Sequence, residues 1–385
     1  MLFRFNLIKF AVHKFNQKMK KIKNIGFLFI LLGLTLIIFY ACEKEKPADQ
    51  SGNFDRKAML QNYADNLIKP AFADLQTQNS ALKLATDAFA NAPDETKLNA
   101  VKLAFDNAYS SFMFANAYNF GPAGEEGIRK ALVEEIGAWP INSDTVEVNI
   151  NANNATLSDF RRDNRGYNAV DYLVNNFTVA DYTSTPNRKL YLQAVVNKIT
   201  TQVDEVVSDW NGAYYNTFIN NTGTDVGSST AQLYNEFLRG VENLKNQKLG
   251  LPLGKRAGQV KPEPLKVEAL YNQQSLKYLK LNIIAINNIW YGKSKTGVDG
   301  VGFENYLNSV TGGAALVAKT EAQIKVIDDF LNTIPNSPSL QYQIATNFTA
   351  LNTLYNEIQK QTRNYKSDMS SLLGIAITFN SGDGD

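Results

Sequence analysis

Histidine and cysteine are almost missing from this chain of 385 residues, with one of each, His13 and Cys42. Beyond position 42 there is neither. A body without them cannot assemble a Ser-His-Asp triad, a Cys-His pair, an imidazole-ligated zinc site or an intrachain disulfide. Its chemistry is left to Asp, Glu, Tyr, Asn, Lys, Arg or a bound cofactor. Basic charge is also scarce there. The formal net charge is +2, but seven of the 39 Lys and Arg residues stand before position 43, where there is no acid. Residues 43–385 carry 32 basic against 37 acidic side chains, a net of about −5. With no long basic run, that balance argues against a nucleic-acid partner. A second apolar run of membrane-spanning length is missing, and strand-like alternation is sparse.

What is present is an ordinary globular composition, 44% hydrophobic and 20% charged, on a chain long enough for two domains. It follows a leader. "KMKKIKN" at 18–24 is basic, and Ile25–Ala41 runs 17 residues without a charge, ending at Cys42. A basic stretch, an apolar core and a small residue before the break make a secretory signal. Ala41-Cys42 resembles a bacterial lipobox, with Cys42 the lipidated first residue of the mature protein. Residues 1–42 are read as a lipoprotein signal peptide with its start at Met1 or Met19, and 43–53 as a polar tether. Seventeen helical residues reach roughly 26 Å, so a single spanning anchor is the competing reading.

From Phe54 the apolar spacing is helical, with Met59, Tyr63, Leu67 and Ala71 four apart. Pro70 is expected to kink or break this helix. Asp94 in "NAPDET" is placed to cap a helix that stops near 120–125. Residues 133–150 read as an irregular crossing, and a helix begins around Ser158. Another ends at Gly212, and 220–230 has the composition of a linker. Later helices are expected up to Gly250, over 276–290, 304–333 and 338–367, with a short strand in the tail. The class is all-α, with helical bundles over 54–219 and 230–385.

Five blocks then carry a resemblance: "FGPAGEEGIRKALVEEIGAWPIN", "RGYNAVDYLV", "AQLYNEFLRGVENLKNQKLGLPLGK", "SLKYLKLNIIAINNIWYG" and "LLGIAITFNSGDGD". In this order they resemble the imelysin-like family across nearly all of the mature chain. The resemblance implies two helical bundles related by a pseudo-repeat, a site near their junction and an envelope location. It also implies either insulin-cleaving peptidase activity or a part in iron or other metal uptake. The family signature Gly-x-His-x-x-Glu aligns here with Gly166, Asn168 and Asp171. An amide oxygen replaces an imidazole nitrogen, and Asp is one methylene shorter than Glu.

Two readings of the Asn168 and Asp171 pair stay open. It is a degenerate, oxygen-only site for iron or another hard cation, or a polar network that positions its helix. Arg165 and Trp139 flank the region. Arg165 either meets an anionic ligand or Asp171, or forms a structural salt bridge; Trp139 reads as core. Glu125, Glu126, Glu134 and Glu135 read as a solvated face, with at most one of the adjacent pair serving any site. "KLGLPLGK" at 248–255 is not a phosphate loop, and "SGDGD" falls short of a calcium loop.

The expectation is a non-catalytic binding protein of a bacterial cell envelope, lipid-anchored at the outer membrane facing the periplasm or cell surface. It would serve metal acquisition, with a metal ion or an envelope protein as partner. An imelysin-type peptidase is the alternative, and a partner-binding protein that has lost the metal site is a third reading.

Overall fold

The computed structural model describes residues 54–125 and 131–379. The expected signal peptide, Cys42, the tether, Glu126 and the 381–385 tail lie outside them. Eight helices frame the described residues: α1 Lys69–Asn91, α2 Glu95–Ala115, α3 Tyr167–Asn175, α4 Asn187–Asn211, α5 Ser229–Asn243, α6 Ser275–Tyr291, α7 Gly313–Thr333 and α8 Phe348–Arg363. Among the described residues there is no strand.

The first four-residue stripe is buried as its spacing predicts, Met59 and Tyr63 completely. Pro70 does not break the helix. Helical backbone runs from Arg56–Asn62 through a π-helical turn, Tyr63–Ile68, into α1, where Pro70 stands in the first turn. The wider turn puts the proline at a change of hydrogen-bond register, where a missing N–H matters least. Asp94 caps α2, its carboxylate accepting from Lys97 N at 2.8 Å. α4 presents Tyr191, Leu192, Val195, Val196, Ile199, Val203, Val206 and Trp210 on one buried face. That face packs on α1, which also packs on α2.

Four expected boundaries are corrected. Residues 133–150 hold two short helices, Leu132–Ile136 and Ser143–Asn151. The motif helix starts at Tyr167, not near Ser158. Asn154 and Asp159 turn their side chains onto the backbone N–H groups two residues on, at 3.3 and 3.1 Å, which stabilises turns rather than helix. The expected 304–333 helix is interrupted between Phe303–Asn308 and α7 by Gly312, whose φ is +83°. Likewise 338–367 divides into Leu340–Thr346, α8 and a π-helical turn, Asn364–Met369.

The expected tail strand does not form either. Asn235 instead donates to Ala376 O at 3.1 Å and accepts from Thr378 N at 2.8 Å, so a side-chain amide does what a neighbouring strand would do.

The second set of helices meets the first along α6, which packs on α2. Asn282 donates to Met113 O at 2.7 Å, and Lys277 and Tyr278 both reach Asp106, at 2.6 and 2.8 Å. Tyr63 donates its hydroxyl proton to Ile289 O and accepts from Phe303 N at 3.0 Å. The described residues belong to one compact unit.

Candidate functional site

Gly166 sets the start of α3. Its φ is +77°, and a Cβ there would lie 2.4 Å from Ile136 O. Only glycine satisfies both conditions. From this tight turn α3 carries Asn168 and Asp171 into the interior, 4% and 1% exposed.

Neither side chain is idle. Asn168 Oδ1 accepts from Ala269 N at 2.9 Å, and its Nδ2 donates to the Tyr109 hydroxyl at 3.2 Å. Asp171 accepts from Tyr271 N and Asn272 N, both at 2.9 Å, and from Asn175 Nδ2 at 3.0 Å. The pair therefore clamps the backbone of 269–272, a hundred residues away in the chain. Burial pushes the Asp171 carboxyl up to about 7, against the three N–H donors that favour its charged form. All three side-chain oxygens already accept hydrogen bonds, and among the described residues no three His, Cys, Asp or Glu converge on a metal-sized space. The donor set does not suit a bound metal ion.

Beside the clamp runs a buried chain of polar groups. Tyr109 donates to Glu268 Oε1 at 2.7 Å, and Glu268 Oε2 meets Lys248 Nζ at 2.5 Å. Glu268 and Lys248 are 3% and 4% exposed. Burial lowers the Lys248 pKa, and the Glu268 carboxylate opposes that. The ammonium also lies 3.3 Å from Met113 Sδ and 5.5 Å from the centroid of the Trp139 ring. A buried Lys248–Glu268 pair thus stands next to the motif.

Arg165 does not reach Asp171. Its guanidinium donates to Glu135 Oε2 at 2.8 Å and to Leu157 O and Asp159 O, each at 3.0 Å. Arg162 approaches Glu135 from its other side, Nη2 to Oε1 at 2.9 Å. Burial acts to raise the Glu135 pKa, but the two guanidiniums hold it below the usual carboxylate range. Glu135 is 5% exposed, so it is no part of a solvated face. Its neighbour Glu134 diverges, as adjacent helical residues must, and lines a cleft.

That cleft, about 850 Å³, opens between the 133–139 segment and the 236–247 stretch of α5 and its π-helical extension, Leu244–Gly250. Trp139 is half-buried in its wall rather than in the core, and its Nε1 is enclosed with no acceptor among the described residues. Glu236 on α5 also lines it, 9% exposed. Burial pushes the Glu236 carboxyl up to about 7; Arg239 pulls it down, and Glu134 adds to the rise.

The sequence pointed to Gly166, Asn168, Asp171, Arg165 and Trp139; the structure brings Asn168 and Asp171 together on the 269–272 backbone, with Gly166 at the start of their helix, and sets Arg165 on Glu135 and Trp139 in the cleft wall. It did not point to Tyr109, Lys248, Glu268 or Glu236. Lys248 and Glu268 stand in a Gly/Pro-rich stretch and just after it, where charge ordinarily signals solvent. Only their burial marks them.

Known proteins provide a comparison. A family model, Peptidase_M75, described as Imelysin, matches residues 68–365. Iron-regulated protein A of Synechococcus elongatus is 22% identical over 250 residues, 62% of this chain, and the match spans 65% of that relative's length, less than two thirds. The crystal structure of a protein named as an iron-regulated protein A precursor, from Parabacteroides distasonis, superposes with a TM-score of 0.67 at 17% identity, covering 86% of this chain and 97% of that one. An imelysin-like protein from Psychrobacter arcticum gives a TM-score of 0.61 at 18% identity, covering 84% and 97%. These structures share the all-α fold. The family model spans most of the chain and includes the whole Gly166–Asp171 motif, and on that ground the protein belongs to the imelysin family.

Proposed function

We propose that this protein is a lipid-anchored, non-catalytic binding protein of the bacterial cell envelope that serves iron or other metal acquisition. Its ligand sits in the cleft between the 133–139 and 236–247 segments. The observation that carries this reading is the commitment of Asn168 and Asp171. Their oxygens hold the 269–272 backbone, and the adjoining Lys248 is already paired with Glu268. A motif engaged in this way joins the two sets of helices. The space for a guest lies next to it, in a cleft whose volume falls in the range of small-molecule sites. The iron-regulated relatives support the metal link, and the Ala41-Cys42 lipobox supports the anchor.

The reading is tested in the native bacterium under iron limitation. Deleting the gene lowers radio-iron uptake, and the wild-type gene restores it. Cys42→Ala leaves the protein folded but no longer sedimenting with membranes, and restores uptake poorly. Undiminished uptake in the deletion strain would overturn the proposed role. A Cys42→Ala protein that still sediments would point to a spanning anchor.

A further inference from the structure

We propose that the cleft receives a small organic molecule carrying a primary ammonium group, and that Glu236 together with Glu134 is the counter-charge for it. This rests on the cleft being the binding place, and it names the chemistry of the guest.

Most charges on the cleft walls are engaged, Glu125 and Arg256 among them. Arg162 is taken by Glu135. Glu242 accepts from Lys366 at 2.8 Å and Asn246 at 2.9 Å, with Lys245 3.6 Å away. Two carboxylates are left with little. Among the described residues Glu134 accepts only a long contact from Asn119 Nδ2, 3.4 Å. Glu236 is nine-tenths buried, yet its one cationic contact among the described residues is Arg239 Nε at 3.4 Å. That arginine is 44% exposed, and its guanidinium also lies 5.3 Å from the centroid of the Phe379 ring. A buried carboxylate so weakly matched, with a second acid beside it, is electrostatically incomplete. A positive guest completes it.

Two observations favour an ammonium over a bare metal ion. No third His, Cys, Asp or Glu among the described residues converges with the pair to close a coordination shell. The cleft is also far larger than an ion, and Asn243 and Gln247 line it with side-chain amides, a group that can accept N–H donors. An ammonium offers three donors, enough for two carboxylates and an amide. Trp139 and Phe379 give the guest's carbon skeleton an apolar wall.

The test is calorimetric titration of the full chain in detergent. The probes are spermidine, ferrioxamine B (a ferric chelate with a free terminal ammonium), its N-acetylated form, and calcium, zinc and ferrous ions. Saturable binding of an ammonium-bearing probe is expected. Glu236→Gln weakens it by about 10- to 100-fold, the worth of one charge-assisted hydrogen bond. Glu134→Gln weakens it less. Acetylating ferrioxamine B has an effect like that of Glu236→Gln, and an unchanged melting temperature in either variant shows that the fold is intact. Equal binding of the acetylated chelate, or indifference to Glu236→Gln, would overturn the ammonium assignment while leaving the cleft reading in place. Ion binding sensitive to Glu236→Gln with the amines silent would replace it with a metal site. Failure of every probe would overturn it too, and the uptake assay above stands apart from all of these outcomes.

Discussion

Asp171 is held by main-chain donors, and this decides how it responds to substitution and to pH. Asp171→Asn keeps the volume but turns one acceptor edge into a donor that faces an N–H of Tyr271 or Asn272. The pH dependence has a definite sign. An unfolded carboxyl titrates near 3.8 and the folded one near 7, so between them the unfolded state binds fewer protons. The stability that Asp171 contributes is therefore largest at acid pH and declines as pH rises from about 4 to about 7. Urea titrations across that range should show the wild type's margin over Asp171→Asn narrowing as pH rises; a constant margin would contradict it. Lys248→Met leaves Glu268 buried without its partner and should lower stability by about 3–5 kcal/mol. Adding Glu268→Gln removes the stranded charge and keeps an acceptor for Tyr109, so the double variant should recover much of the loss. The motif residues were legible in the sequence because glycine, asparagine and aspartate kept the family spacing. The residues they bond were not, since Ala269, Tyr271 and Asn272 contribute only their N–H groups, which every non-proline residue has.

At the level of elements, periodicity carried the long helices well. The four-residue spacing of Met59, Tyr63, Leu67 and Ala71 and the cap at Asp94 both appear in the structure. Apart from the break at Gly312, the failures come from local structure that departs from regular helix or strand without changing composition. Side-chain turns delay the start of α3, a π-helical turn accommodates Pro70, and one amide stands in for a strand partner at the tail. Gly166 tests the start of α3 directly. Gly166→Ala meets both the positive φ and the Ile136 carbonyl. It should lose about 2–4 kcal/mol, read as a fall in the urea midpoint with little change in helical circular dichroism. An alanine variant as stable as wild type would show that the turn can relax.

Over the whole molecule, the seam between the two sets of helices is made of buried polar bonds as well as side-chain packing. Asn62 reaches Gly292 O at 2.7 Å and Val301 O at 2.9 Å, Asn282 reaches Met113 O, and the clamp reaches 269–272. Separating the halves would leave these groups without partners in an apolar setting, so the halves should unfold together. Tryptophan fluorescence and circular dichroism should give coincident urea transitions, and two resolved transitions would show halves that fold independently. The clamp has one further consequence, for sequence drift. Because Asn168 and Asp171 hold 269–272 through its peptide N–H groups and not through its side chains, that segment can change its identity at Leu270 or Tyr271 without losing its grip. A single change there is forbidden by the covalent structure of the residue alone: proline at 269, 271 or 272 has no proton to give.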